Sequence, residues 1–280
     1  MHELAGIEQL LRAGDDFVLS KVDPSSTPGF NHGKKHGVAS LAAGAEELAD
    51  LQEKLYAQGI SGDPRRVLLV LQAMDTAGKG GIVGHVVGAV NPYGVHIAAF
   101  KAPTEKEKAH DFLWRIRKEV PAAGMLGVFD RSHYEDVLIH RVRHLSTPEV
   151  IEERYRKIVA FEKELVDRGT TIIKVMLHIS PIEQKLRLDA RLDDATKYWK
   201  FNPSDLDDRV LWPAFMEAYQ IAIARTATDT APWYVVPADH KWYARLAVQG
   251  LLIDALRDLG QDWPVADFDV GAQKSRLATE

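Results

Sequence analysis

The sequence predicts an α/β fold, a three-layer α/β/α sandwich with a parallel sheet as its middle layer. Five short apolar runs have the length of strands, and none of them alternates between apolar and polar residues. Such runs are typical of parallel strands that helices cover on both faces. The segments between them have the pattern of helices with recognisable ends, and this alternation of strand and helix favours right-handed crossovers.

The region before the first strand, residues 1–62, is predicted to be an N-terminal arm and a helix that pack on the core. Residues 23–33 are rich in Pro, Gly, Ser and Asn, which disfavour a regular helix or strand. A helical apolar pattern then extends from Leu41 to Leu55 and ends at Gly59. Residues 63–260 form the expected core, and residues 261–280 form a peripheral tail.

The core contains the five predicted strands and three clear helix starts. The strands are residues 67–72, 95–100, 125–129, 171–179 and 233–237. Thr104 and Glu107 have the spacing of a capping box ahead of one apolar helix face over residues 109–116. The pairs Thr147-Pro148 and Ser180-Pro181 supply a capping residue and a first-turn proline for the next two helices.

Composition excludes several classes of protein. The chain has 280 residues, with 35 Lys+Arg against 40 Asp+Glu, and its net charge of -5 argues against a dedicated DNA binder. It has no cysteine, which excludes disulfides, Cys-ligated zinc, iron–sulfur clusters and a thiol nucleophile. The first residues lack a secretory pattern, and no apolar run approaches the length of a membrane span. We therefore expect a cytoplasmic protein with no nucleic-acid or membrane partner.

A phosphate-binding loop is predicted directly after the first strand. Ala73, Gly78 and Lys79 have the spacing of this loop, and a helical pattern follows them. The backbone N–H groups of Ala77, Gly78 and Gly80 can surround a phosphate chain, and Lys79 can reach its outer oxygens. A flexible turn is the alternative for a Gly-Lys pair alone, but the strand context favours phosphate binding.

Two departures from the usual loop indicate where a metal is held. Ala73 replaces the customary first glycine, and Gly80 replaces the Ser or Thr whose hydroxyl binds Mg²⁺. The metal must therefore have another ligand. Asp75 lies inside the loop, where a carboxylate would repel phosphate unless it faces a bound cation. The alternative is that Asp75 forms an Asx turn.

A second acidic site is predicted where the third strand ends. Asp130 follows that strand, beside the crevice in which open α/β sheets bind ligands, and Arg131 comes next. Asp130 can hold Mg²⁺ or orient the attacking oxygen, while Arg131 adds positive charge near the transferred phosphoryl group. Alternatively, Asp130 caps a helix and pairs with Arg131. We expect His133 to be a hydrogen-bonded structural or substrate-orienting group rather than a covalent intermediate.

A lid is predicted at about residues 185–212, where basic and aromatic side chains alternate. Its basic residues are Lys185, Arg187, Arg191, Lys197, Lys200 and Arg209. In phosphate-loop kinases this region closes over the phosphates and excludes water. A solvated surface or a platform for single-stranded nucleic acid would have a similar composition.

Four motifs together resemble the polyphosphate kinase 2 family. They are residues 73–81 (AMDTAGKGG), 101–105 (KAPTE), 129–138 (FDRSHYEDVL) and 198–205 (YWKFNPSD), and the resemblance covers about residues 25–260. It implies a thymidylate-kinase-like P-loop kinase fold with a helical lid. It also implies phosphoryl transfer between inorganic polyphosphate and nucleotides, with Mg²⁺ or Mn²⁺, and a homo-oligomer, either a dimer or a tetramer.

The resemblance also implies roles for individual residues. Asp75, Lys79, Asp130 and Arg131 are the expected catalytic residues, and Asp75 and Asp130 the expected metal ligands. The residues expected to bind phosphate or polyphosphate are Ala77, Gly78, Gly80, Lys34, Lys35, Arg141, Arg191, Lys197, Lys200 and Arg209. Those expected to bind the nucleotide are Lys101, Thr104, His133, Tyr134 and Glu135.

The expected activity is transfer of the terminal phosphoryl group of polyphosphate to AMP, ADP or both. The residues after Asp-Arg-Ser resemble the subgroup that phosphorylates both acceptors, and Glu135 is the candidate for selecting the nucleotide. Two alternatives are an ATP-dependent nucleoside monophosphate kinase and a non-enzymatic module that binds polyanions or nucleotides.

Overall fold

A five-stranded parallel sheet is the centre of the computed structural model, which describes Leu4 and residues 6–280. The strands are β1 (Arg66–Ala73), β2 (Val95–Ala99), β3 (Leu126–Asp130), β4 (Thr170–His178) and β5 (Trp233–Pro237). Their order across the sheet is β2-β3-β1-β4-β5, and every neighbouring pair is parallel. The predicted α/β fold with a parallel sheet is confirmed.

Helices cover both faces of this sheet. They are α1 (Ile7–Leu11), α2 (Lys34–Ile60), α3 (Lys79–His85), α4 (Glu105–Lys108), α5 (Leu113–Lys118), α6 (Glu135–Val142), α7 (Pro148–Asp167), α8 (Pro181–Leu192), α9 (Ser204–Val210), α10 (Trp212–Thr226), α11 (Lys241–Asp258) and α12 (Val270–Leu277). The Trp233 side chain on β5 donates to Thr226 Oγ1 of α10, whereas the side chain of the next residue, Tyr234, lies near Asp254 and Asp258 of α11. Because successive strand residues point to opposite faces, α7 and α10 lie on one side and α11, with α2 behind it, on the other.

The N-terminal segment packs on the edge of the sheet. Arg12 forms an isolated antiparallel bridge with Tyr234, and the Ala13 N–H donates to Trp233 O at 2.8 Å. Farther along, the Tyr243 hydroxyl of α11 donates to Pro28 O at 2.7 Å. Helix α2 begins at Lys34, earlier than the apolar pattern indicated.

One predicted helix is divided in two. The apolar face over residues 109–116 indicated a single helix, but α4 ends at Lys108 and α5 begins at Leu113. Asp111 explains the break, because its Oδ1 accepts from Leu113 N at 3.1 Å and its carbonyl accepts from Trp114 N at 2.8 Å. This local bonding starts a new helix. The predicted capping box is present, since Thr104 N donates to Glu107 Oε2 at 2.7 Å.

Residues 261–280 begin with a contact to α2, where Gln58 Nε2 donates to Asp262 O at 2.6 Å. They include α12, which buries none of its residues. The long helix α11, in contrast, buries side chains along most of its length against the sheet and α2. Among the helices of the described residues, none has both the length and the apolar character needed to span a membrane.

The strand register determines where polar side chains can meet. Asp130, the last residue of β3, lies beside Leu71 of β1 and Ala99 of β2. Ala73, the last residue of β1, lies beside Leu177 of β4. The loops that follow all five parallel strands therefore leave the same edge of the sheet, where α/β proteins bind their ligands.

Candidate active site

A cleft of about 1210 Å³ opens at the carboxyl edge of the sheet. The loop after β1, the ends of β2 and β3, helix α8, residues 197–205 and the start of α11 form its walls. The expected site residues in these walls are Asp75, Ala77, Gly78, Lys79, Gly80, Lys101, Asp130, Arg131, Arg191, Lys197 and Lys200. The structure thus brings together residues that are far apart in the sequence.

The loop between β1 and α3 has the backbone of a phosphate cradle. Gly78 has a φ of 125°, a conformation that side-chain-bearing residues rarely adopt, and its carbonyl accepts from the N–H groups of Gly81 (2.8 Å) and Ile82 (3.1 Å). The Lys79 ammonium donates to Ala73 O at 3.3 Å and thereby lies over the loop. Residues 75–82, which include this loop and the first turn of α3, line the cleft.

Helix α8 braces this loop from outside. The guanidinium of Arg187 is buried and donates to Thr76 O (3.0 Å) and Ala77 O (2.9 Å). It also donates to Ala238 O at 2.7 Å and Asp239 O at 2.9 Å, in the loop that follows β5. The sequence grouped Arg187 with the basic residues of the lid, whereas the structure gives it a structural role that depends on long-range contacts.

Arg131 joins the two acidic loops. Its Nη2 donates to Asp75 Oδ1 at 3.1 Å, so its carboxylate partner is Asp75 of the phosphate loop. Burial alone would lower the pKa of Arg131, but the nearby carboxylates of Glu135 and Asp75 outweigh burial and raise that pKa. The guanidinium therefore stays charged at the floor of the cleft, as a group that neutralises phosphate should.

Asp75 and Asp130 are suitable ligands for Mg²⁺. Both line the cleft, and both offer carboxylate oxygens, which hard divalent cations prefer. In the described part of the chain, no group of three or more His, Cys, Asp or Glu side chains could hold a metal ion by itself. This is compatible with Mg²⁺, which is often bound by one or two carboxylates together with substrate phosphates and water.

Glu135 lies below the cleft floor. The amide of Gln72 donates to Glu135 Oε1 at 3.0 Å and accepts from Ser132 Oγ at 3.0 Å. Burial raises the pKa of Glu135, although the positive charges of Arg131 and Lys79 act in the opposite direction. Glu135 therefore lies close enough to Arg131 and Lys79 to interact electrostatically with both.

Two expected nucleotide ligands do not reach the cleft. His133 and Tyr134 are buried, and both contact Glu162 Oε1, at 3.2 Å from His133 Nε2 and 2.7 Å from the Tyr134 hydroxyl. The expectation that they bind nucleotide does not fit this position, because the chain turns into the core after Ser132. His133 is thus a hydrogen-bonded structural residue, which was one of its two sequence-based interpretations.

Other expected ligands also lie outside the cleft wall. Thr104 caps α4, Arg141 is 3.8 Å from Glu152, and Arg209 donates to Pro181 O at 2.8 Å. Lys34 and Lys35 are exposed in the first turn of α2. In this conformation all five residues lie outside the cleft wall.

Four charged residues of the cleft were not predicted from the sequence, and one of them, Glu183, comes from the first turn of α8. Lys241 and Arg245 enter it from the first turns of α11, and Asp205 enters it from α9. Lys241 and Arg245 could have been found from the sequence, because they are two basic residues four positions apart at the start of the helix that follows the fifth strand. Asp205 lies 3.6 Å from Arg191, and burial together with Asp75 raises its pKa to about 6.

The cleft is basic even though the chain as a whole is acidic. Among the described residues, nine Lys or Arg line it against four Asp or Glu. The basic residues are Lys79, Lys101, Arg131, Arg187, Arg191, Lys197, Lys200, Lys241 and Arg245. Such a concentration of one sign in a concave site attracts an anionic ligand.

Comparisons with known proteins agree with this geometry. The family model of polyphosphate kinase 2 (PPK2) matches residues 31–262. The chain is similar to the crystal structure of polyphosphate kinase 2 from Arthrobacter aurescens TC1, at 57% sequence identity and a TM-score of 0.98. That match covers 100% of this chain and 99% of the other.

Two relatives of known name are similar over most of their length. The AMP/ADP-polyphosphate phosphotransferase of Meiothermus ruber is 48% identical over 248 residues, which are 89% of this chain and 91% of the relative. The ADP-polyphosphate phosphotransferase of Rhodopseudomonas palustris is 39% identical over 261 residues, 88% of this chain and 86% of the relative. The chain thus belongs to the polyphosphate kinase 2 family.

Proposed function

We propose that this chain reversibly transfers the terminal phosphoryl group of inorganic polyphosphate to AMP and to ADP, with Mg²⁺ as the metal. The observation that carries the proposal is the cleft that brings the phosphate loop and Asp130 together with nine basic side chains, Lys79 and Arg131 among them. The names of the relatives support both acceptors, since one acts on AMP and ADP and the other on ADP.

The chemistry requires charge neutralisation and alignment more than a base. The acceptor is a phosphate oxygen that is already anionic, so little proton transfer is needed before it attacks. The barrier comes mainly from bringing anionic groups together in line, and fixed positive groups lower it. Lys79 and Arg131 are the side chains placed to neutralise the transferred group, and the loop N–H groups orient it.

Mg²⁺ would be held by Asp75 and Asp130, and when bound it would neutralise phosphoryl oxygens. These two carboxylates also prevent the cleft floor from being uniformly positive. Arg131, which follows Asp130 in the chain, donates a hydrogen bond to Asp75. This bond holds the loop that carries Asp130 against the loop that carries Asp75. The protein thereby sets the distance between its own two metal ligands before substrate arrives.

The donor chain is expected to run along the basic walls beyond the phosphate loop. Arg191, Lys197 and Lys200 line one wall, and Lys241 and Arg245 come from α11. A nucleoside triphosphate needs few of these charges, whereas a long polyanion can contact many at once. The length of these basic walls therefore favours polyphosphate over ATP as the donor.

The first experiment is an assay with purified protein, Mg²⁺ and long-chain polyphosphate, offering AMP, ADP or GMP and separating products by anion-exchange chromatography. We expect ADP and then ATP from AMP, and loss of both in Asp130→Asn. Asp167→Asn, which alters an exposed ion pair with Lys163, is the matched control that should remain active.

Each other outcome has a clear meaning. If AMP yields ADP only, the assignment to the subgroup that phosphorylates both acceptors is wrong, and so is the nucleotide-selecting role expected for Glu135. If polyphosphate gives no transfer while ATP phosphorylates a monophosphate, the chain is a nucleotide kinase. Binding without turnover would support the non-enzymatic module.

Light scattering of the same sample tests the homo-oligomer, a dimer or tetramer, that the family resemblance implies.

A further inference from the structure

A fully buried polar cluster lies behind the turn that carries Asp130 and Arg131, and the chemistry above does not use it. Its members are Lys174 on β4, Glu162 on α7, Thr226 at the end of α10, and His133 and Tyr134 after β3. None is more than 2% exposed. We refer to these five residues as the Lys174 cluster.

Hydrogen bonds connect every member of the Lys174 cluster. The ammonium of Lys174 uses all three of its donors, on Glu162 Oε2 (2.6 Å), Thr226 O (2.8 Å) and the Tyr134 hydroxyl (3.2 Å). The Tyr134 hydroxyl donates to Glu162 Oε1 at 2.7 Å and lies 3.0 Å from Thr226 Oγ1. His133 Nε2 lies 3.2 Å from the same Glu162 oxygen.

Stability alone does not account for this arrangement. Removing an ammonium and a carboxylate from water is costly, and a well-packed apolar set often stabilises a core as well or better. The neighbouring sheet positions are apolar, since Lys174 pairs with Val70 of β1 and Trp233 of β5. The cluster is therefore better explained by the geometry that it imposes on the chain next to it.

That neighbouring chain is under strain. Arg131 has a φ of 64°, in the left-handed region that residues other than glycine occupy at a cost. On one side its N–H donates to Leu71 O at 3.1 Å. On the other side Ser132 Oγ accepts from Tyr134 N at 3.2 Å, and the Tyr134 side chain enters the Lys174 cluster.

The turn is thus held at both ends. The sheet fixes the chain up to Asp130, and Tyr134 fixes it four residues later, so only Arg131, Ser132 and His133 connect the two attachments. The same conformation directs its guanidinium to Asp75 Oδ1. A residue in this position depends on its neighbours more than on its own backbone preference.

We propose that Tyr134, Glu162 and Lys174 are positioning residues for phosphoryl transfer, which hold Arg131 in its left-handed conformation with its guanidinium in the cleft. The proposal rests on the proposed function only for the choice of substrates. The three side chains touch no substrate and act through Arg131. Replacing them should therefore reduce turnover while leaving substrate binding largely intact.

The test is a double-mutant cycle that combines Tyr134→Phe with Arg131→Ala. We expect Tyr134→Phe to lower kcat about tenfold, with KM for polyphosphate and AMP changed by less than about twofold. In the Arg131→Ala background the same change should alter kcat by less than about twofold, because Arg131, the residue through which Tyr134 is proposed to act, is absent. An equal loss in both backgrounds, or no loss in the wild type, would overturn the proposal.

Two further variants separate positioning from folding. Tyr243→Phe likewise removes a hydrogen bond of a tyrosine hydroxyl, the one donated to Pro28 O. We expect this variant to lose a similar amount of stability while its kcat stays unchanged. If Tyr134→Phe does not fold, Glu162→Gln is used in the same cycle, because it keeps the side-chain shape while removing the charge and one of the two acceptor oxygens. The cycle uses whichever donor the wild type accepts, so failure with polyphosphate contradicts the proposed function alone.

Discussion

Arg131 is the residue in which the fold and the chemistry depend on each other most directly. It bonds the phosphate loop through Asp75, and its backbone lies in a strained region at the end of β3. Nearby carboxylates keep it charged. We expect both its charge and the planar shape of its guanidinium to contribute to stabilising the transferred phosphoryl group.

Arg131→Lys tests whether shape matters beyond charge. Lysine keeps the positive charge but has a single ammonium in place of the planar group of donors, so we expect kcat to fall about tenfold to hundredfold. Steady-state rates at saturating polyphosphate and AMP measure the loss. Arg156→Lys, in an exposed pair with Glu153, is the control and should be indistinguishable from wild type. Full activity in Arg131→Lys would mean that charge alone is needed.

Asp205 makes stability depend on pH. Burial and the carboxylate of Asp75 raise its pKa to about 6, while Arg191 acts in the opposite direction. Since the folded protein holds this proton more tightly than the unfolded chain, the stability contribution is full below about pH 4 and is lost as pH rises through about 6.

We therefore expect the free energy of unfolding of the wild type to fall, relative to Asp205→Asn, between about pH 4 and about pH 7. The asparagine variant cannot lose a proton at this position. Urea denaturation at several pH values, without divalent ions or substrate, measures the difference. Parallel stability curves for the two proteins would show that Asp205 has an ordinary pKa.

At the scale of elements, the phosphate loop depends on α8 as well as on its own residues. Arg187 joins the loop to the segment after β5 through four backbone carbonyls. Arg187→Met leaves these acceptors buried without a donor, and we expect it to cost about 2 to 4 kcal/mol in the free energy of unfolding. Urea denaturation measures it. Arg156→Met, at an exposed position, should change stability by less than about 0.5 kcal/mol.

Two glycines of the loop should differ in what they tolerate. Gly78 has a φ of 125°, and a Cβ there would meet no atom within 4 Å. Gly78→Ala should therefore lower the free energy of unfolding only because alanine disfavours this backbone conformation. We expect a loss of about 1 to 2 kcal/mol. Gly80 also has open space around it but lies in the first turn of α3, so Gly80→Ala should be neutral or stabilise by up to about 1 kcal/mol. Equal unfolding midpoints for the two variants would contradict this account.

The elements themselves were largely predictable, because local patterns determine them. All five apolar runs are strands, and the proline and cap signals at Thr147 and Ser180 begin α7 and α8. The break at Asp111 was not predicted, because it depends on a side chain bonding its own backbone. The phosphate loop and the acid at the end of β3 were also predictable, since each follows a recognisable strand.

The supporting contacts could not be predicted in the same way. Arg187 binds the phosphate loop, and Lys174 bonds Glu162 and Tyr134, through contacts that only the packed structure brings together. The local sequence places Lys174 within an apolar strand but does not indicate which distant side chains bond its ammonium. For the same reason His133 and Tyr134 were expected in the cleft, although they belong to the core.

For the whole molecule, charge distribution matters more than net charge. The chain carries a net charge of -5, but nine basic residues face four acidic ones in the cleft. The charge outside the cleft is therefore net negative, and we expect this distribution to direct a polyanionic donor towards the cleft.

We therefore expect the KM for polyphosphate to rise more than about tenfold between about 50 mM and about 500 mM KCl, because salt screens many simultaneous contacts. The KM for AMP, a small ligand with fewer charges, should rise much less. Initial rates at several salt concentrations measure both constants. A polyphosphate KM that does not change with salt would exclude the basic walls as the donor track.

The bridge between Arg12 and Tyr234 has a consequence for how the sheet avoids self-association. An unpaired edge strand is a template for edge-to-edge aggregation, and β5 is such an edge. The segment that covers it precedes every strand in the sequence, whereas β5 is the last strand. The covering segment is therefore already present when β5 is synthesised, whereas a chain that lacked residues up to Ala13 would leave this part of the edge open to pairing with another strand.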